Sequence, residues 1–130
     1  MELTYEMIAH DKFAEAFGLL LEKKVSVGTA VNIGRSIEVL NKETSNFRTV
    51  RDGLVKRYGI EVKDDKGETT GWTMQGVSVE NIEGFNKDYL DLIQTKFEIP
   101  LNTKVTLKAD DGEMTGLQAF LLKDFVEIKE

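Results

Sequence analysis

Along residues 25–58, Ala30, Ile33, Ile37, Leu40, Thr44, Phe47, Arg51, Leu54 and Tyr58 return in alternating steps of three and four. That spacing predicts one long helix with an apolar seam, packed along its length against other helices. Thr44 and Arg51 interrupt the seam, and Val50 can supply the apolar contact beside Arg51. Ser26 is placed to cap the helix N-terminus, since its hydroxyl can accept from an orphan amide. Lys56 and Arg57 suit the last turn through the helix dipole, and Gly59 suits a left-handed residue that ends it. At about 1.5 Å per residue the helix would be about 45–50 Å long, so the chain displays a scaffold before it displays any chemistry.

The flanking pattern supplies what covers that seam. Residues 1–5 form either a first strand or a disordered tip. A first helix is predicted over about residues 4–23, with Met7 or Ile8, Phe13, Phe17, Leu20 and Leu21 on one face. A third helix is predicted over about residues 79–96, capped by Ser78, with Ile82, Phe85, Tyr89, Ile93 and Phe97 inward. Between them, residues 60–78 alternate and carry turn chemistry at Asp65-Lys66-Gly67, which predicts a β-hairpin or an ordered flap. Past Pro100, the residues Ile99, Leu101, Val105 and Leu107 read as extended, and Asp111-Gly112 as a turn. Thr115 can cap a short last helix over residues 116–123, with Leu117, Phe120 and Leu121 inward, and Phe125, Val126 and Ile128 can end as a strand. The expected fold is one α+β domain over residues 1–130. It is helix-dominated: one long central helix packed by two shorter helices, with a small β-hairpin or sheet element.

Composition narrows the chemistry. With 130 residues, 41% of them apolar, and a formal charge of −6, one soluble core is the expectation. There is no cysteine, which excludes disulfides, thiolate metal sites and a cysteine nucleophile. No secretory signal pattern opens the chain and no apolar run can span a bilayer. The single histidine, His10, is read as a surface helix residue with Glu6 one turn before it, so neither a nucleophilic triad nor a zinc site is expected. The acidic stretches at Asp64-Asp65-Lys66-Gly67-Glu68 and Asp110-Asp111-Gly112-Glu113 lack the calcium-loop ligand pattern and are read as solvated turns. Gly28 lies outside any phosphate-cradling motif. Residues 35–57 hold six basic side chains against three acidic ones, a local +3 in a chain whose remainder is −9. These charges do not fall on one face, so pairing with acidic neighbours is favoured over nucleic acid. Trp72, in a polar, glycine-flanked segment, is either an interface anchor or folded back onto the helices. Together with Met74 in the same flap, and Arg48 and Arg51 on the long helix, it makes the candidate interface. No enzyme activity, cofactor or metal is expected.

The order of parts carries a further resemblance. A long helix ending in Lys56-Arg57-Tyr58-Gly59 is followed by a helix bearing Phe85-Asn86-Lys87, then Glu98-Ile99-Pro100-Leu101 and a closing MTGLQAFLLKDFVE. This layout resembles an uncharacterised family of small tailed-bacteriophage proteins. The resemblance implies a phage origin, with location in the host cytoplasm or the virion, and it brings no catalytic residues. The function expected from scaffold and resemblance together is non-enzymatic: a virion accessory or an assembly adaptor working through protein–protein contacts with a phage or host partner. The alternative is a phage-encoded inhibitor of a host enzyme or defence system acting through its acidic surface.

Overall fold

The computed structural model describes residues 1–10, 12–101, 104–108 and 115–129. The chain runs β1 (Glu2–Thr4), α1 (Tyr5–Ile8), α2 (Phe13–Gly18), a 3₁₀ turn (Leu19–Glu22), α3 (Val27–Tyr58), β2 (Ile60–Lys63) and β3 (Thr69–Thr73). It continues with α4 (Val79–Ile93), β4 (Lys96–Glu98), β5 (Val105–Lys108), α5 (Gly116–Leu121) and β6 (Val126–Lys129). The fold is α+β and helix-dominated, with α3 as its axis. The acidic turn expected at Asp110-Asp111-Gly112-Glu113 and the residue Asp11 lie outside the described residues.

The long helix is 32 residues, about 48 Å at 1.5 Å each. The Ser26 hydroxyl accepts from the Thr29 amide at its start. Its buried side chains are Ile33, Ser36, Leu40 and Phe47, so the seam is buried only through its middle. Ser36 stands between Ile33 and Leu40 on the same face and is fully buried. Its hydroxyl donates to the Asn32 carbonyl (2.7 Å) and accepts from the buried Leu101 amide (3.2 Å). One helix hydroxyl thereby fixes the segment after Pro100 against α3.

The first helix differs from expectation. Residues 2–4 leave it to form β1, which pairs antiparallel with β4, Leu3 opposite Phe97. The remainder is two short helices and a 3₁₀ turn, with α1 ending at Ile8 and α2 starting at Phe13. There the Lys12 amide donates to His10 Nδ1 (3.2 Å) instead of continuing a helical ladder. The break turns Phe13 and Phe17 onto Phe125, at ring separations of 5.7 and 5.5 Å. The third helix is shorter than expected because β1 pairs with the residues beyond it. It stops at Ile93, and Phe97 enters β4, where Tyr5 packs against its ring at 5.8 Å.

Among the described residues, sheet structure comes as three separate two-stranded pairs: β1–β4 and β2–β3 antiparallel, β5–β6 parallel. The expected hairpin is therefore present, and it does not join the extended segment at residues 105–108. The last helix has a full capping box from Thr115 and Gln118. Of its expected inward face, Leu121 packs half-buried against the core, but Leu117 and Phe120 are exposed, while Leu122 and Phe125 are 1% exposed. A six-residue helix takes its orientation from the chain anchored beside it, and here that anchor is the Phe125 ring packed on Phe13 and Phe17 of α2. Gly59 is also not left-handed. It is extended (φ −87°, ψ −175°), and what excludes a side chain there is space: a Cβ would collide with the Val55 carbonyl oxygen and lie 2.7 Å from that of Thr73.

Candidate functional site

Two surfaces carry the residues expected to matter, at different places along α3. The distal one is built where α3 meets β2, β3 and α4. Tyr58 is its hub. The Tyr58 phenol donates to Asp88 (2.6 Å), and the Asn81 side-chain amide donates to the Tyr58 carbonyl (3.2 Å). Asn81 thus satisfies one of the carbonyls left open at the α3 C-terminus, while the Ser78 hydroxyl caps α4 by accepting from the Asn81 amide. Arg57 lies 5.4 Å over the Tyr58 ring and 3.9 Å from Asp88. The hydrogen bond to Asp88, with some desolvation, holds the Tyr58 phenol above its ordinary pKa. Gly84 gives the ring room on α4: a Cβ there would lie 2.7 Å from the Tyr58 Cε1.

From this hub the hairpin projects outward. Every residue from 60 to 70 is exposed. Asp64 closes its turn by accepting from the Lys66 and Glu68 amides (2.9 and 3.0 Å), so this acidic stretch is an ordinary side-chain-capped turn. Trp72 and Met74 are half-buried near the base of the hairpin, with Trp72 opposite Glu61 in the register. Ile60 and Val62 share one strand face and Val79 and Ile82 share one helix face; all four are exposed, Val79 at 72%. The chain from 60 to 93 holds eight carboxylates against three lysines, a net −5 that accounts for most of the overall −6.

The proximal surface is a cleft of about 60 Å³ between the α1–α2 break and α3. Ile8, Phe13, Leu40 and Phe47, all buried, form its floor. His10, Thr44, Arg48 and Arg51 also line it. Arg51 lies 5.7 Å over the Phe47 ring and 3.4 Å from Asp52. Arg48 is exposed and makes no ion pair among the described residues. Glu43 accepts from the Tyr5 phenol. Burial foremost, then that hydrogen bond and the Glu43 charge, pushes the Tyr5 phenol up to about 12. A second groove of about 170 Å³ lies between Lys12, Glu15, Thr115, Leu117 and Gln118. Its two charges pair with each other at 3.5 Å, which leaves nothing there to select a ligand.

The four candidate interface residues therefore fall into two pairs. Arg48 and Arg51 share the proximal cleft, and Trp72 and Met74 do not line it. His10 joins the arginines, which no local pattern announces, because the three residues meet only when the first helix breaks. Among the described residues no group of three or more histidine or acidic side chains is placed to hold a metal ion, and no helix is long and apolar enough to cross a membrane. No protein-family model matches the chain, and neither curated proteins nor solved structures provide a match.

Proposed function

We propose that this chain is a non-enzymatic protein that works by protein–protein contact, a small accessory or assembly component of a bacteriophage. The observation that carries the reading is the distal arm. A hairpin exposed throughout residues 60–70 stands on a braced helix junction, with Ile60 and Val62 on its first strand and Val79 and Ile82 on α4 left open to solvent. Exposed apolar side chains grouped on a projecting element are the usual mark of a contact surface. The phage assignment comes from the resemblance in the order of sequence parts, and location in the virion or the host cytoplasm goes with it. Mass spectrometry of purified particles of the encoding phage tests the assignment: stoichiometric copies support it and absence refutes the virion role. Trp72→Ala tests the arm. An anchoring tryptophan is worth on the order of 2 kcal/mol or more at an interface, so the variant should be depleted from particles; normal incorporation refutes this version.

A second reading has its own observation. The net −5 of residues 60–93 concentrates the acidity of the chain on the arm, as an inhibitor occupying a basic groove would require. It predicts absence from particles and partner binding that weakens steeply with salt.

A further inference from the structure

We propose that the cleft between the α1–α2 break and α3 receives a single carboxylate, presented by an acidic side chain of a protein partner. The donor set comes first. Arg48, Arg51 and His10 line the opening, and no carboxylate stands among its described lining residues. Glu43, on that stretch of α3, is held by Tyr5. Asp52 meets Arg51 through one long, exposed contact of 3.4 Å, and Arg48 has no ion pair among the described residues. Guanidinium forks match the two oxygens of a carboxylate. His10 Nδ1 accepts from the Lys12 amide, which leaves Nε2 as the donor of the neutral ring.

Size and charge then decide what can enter. A volume of about 60 Å³ holds about four to six waters at ~10–15 Å³ each. Small-molecule sites run to roughly 300–1,000 Å³, so the cleft admits the end of a side chain and excludes a cofactor. Its apolar floor of Ile8, Phe13, Leu40 and Phe47 suits the methylenes behind an acid headgroup. A polyanion such as a nucleic acid would leave the cleft and meet a surface whose net charge is −6 overall. A lone carboxylate meets mainly Arg48 and Arg51, the latter shared with Asp52, because charges beyond about 8–10 Å are screened. The site stands on the cleft; only the source of the carboxylate rests on the protein-contact reading above.

The test is a nuclear magnetic resonance titration of isotope-labelled protein with sodium glutarate. Sodium phosphate and sodium chloride at matched ionic strength are the comparisons. Saturating shifts of the Arg48 and Arg51 guanidinium and His10 ring signals with glutarate, absent with chloride, are expected. Arg48→Gln, at an exposed position, should keep the fold and weaken glutarate binding about tenfold. Arg48→Lys should recover only part of it, since the charge returns without the fork. Non-saturating shifts, shifts equalled by chloride, saturation by phosphate alone, or parent-like binding by Arg48→Gln would each overturn the proposal. Trp72→Ala should leave glutarate binding unchanged, so a failure of the hairpin reading and a failure of the cleft are told apart.

Discussion

Replacing Ser36 with alanine removes one oxygen from the best-packed stretch of α3. The Asn32 carbonyl keeps its helical amide partner, so losing the hydroxyl that donates to it matters little. The Leu101 amide is different. Its residue is 3% exposed, and the Ser36 oxygen at 3.2 Å is the acceptor it uses. Orphaning a buried amide costs about 1–3 kcal/mol, while alanine returns about 0.5 kcal/mol of helix propensity. The net expectation is a destabilisation of about 0.5–2.5 kcal/mol. For a domain of this length that corresponds to a fall in Tm of roughly 2–10 °C. Urea denaturation should show a lower midpoint at unchanged m-value, and the Leu101 amide should exchange faster with solvent than in the parent. A variant as stable as the parent, or one with an unchanged Leu101 exchange rate, would refute the role given to this hydroxyl.

Tyr5→Phe should remove the most alkaline phenol in an ultraviolet titration. Because the folded pKa of about 12 lies above the ordinary 10.0, the phenol's contribution to stability is complete below pH 10 and disappears as pH rises through 12. The stability gap between parent and Tyr5→Phe should shrink across that window; a constant gap would count against it. Gly84→Ala gains about 0.8–1.0 kcal/mol of helix propensity but drives a Cβ to 2.7 Å from the Tyr58 ring, an overpacking worth about 1–3 kcal/mol. Chemical denaturation should find it neutral to destabilising alone and stabilising in a Tyr58→Ala background; additivity of the two changes would show that the ring is not what excludes the methyl. Gly59→Ala should cost more, about 3 kcal/mol, since both obstructing atoms are backbone oxygens that cannot rotate away. A loss under 1 kcal/mol, measured the same way, would show that the junction yields.

The three helix starts at Ser26, Ser78 and Thr115 were legible because a cap is a local event: an oxygen three residues ahead of the amide it accepts from. The seam of α3 was legible from its period alone. What periodicity could not give was where another segment would compete. Phe97 has helical spacing from Ile93, yet it pairs opposite Leu3, 94 residues away (97 − 3). The run from Met7 to Leu20 has a helical face, yet it breaks so that Phe13 and Phe17 can reach Phe125. Leu117 and Phe120 have the spacing of an inward face and still lie outside, because Phe125 sets the angle of α5. The cleft obeys the same logic. Arg48 and Arg51 are three apart on one helix, a relation written in the sequence, whereas His10 reaches them only through the break.

Packing along α3 changes character at Phe47, and that change explains why the two surfaces differ. From Ile33 to Phe47 the helix buries side chains in the main core; beyond Phe47 none of its residues is buried. There a ladder of rings takes over: Phe47 to Tyr89 at 6.3 Å, Tyr89 to Phe85 at 5.7 Å, Phe85 to Tyr58 at 6.5 Å. Three such pairs contribute roughly 1.5–4.5 kcal/mol beyond their buried area, enough to brace α4 on α3 and too little to make the arm an independent core. Phe47 belongs to both systems, since its ring also floors the cleft, meets Tyr5 edge-on at 5.8 Å and sits under Arg51. The cleft is thus set beside the main core, on a floor of buried side chains. The hairpin is set at the weakly buried end, where local opening is least costly and an adaptable contact surface can be tolerated.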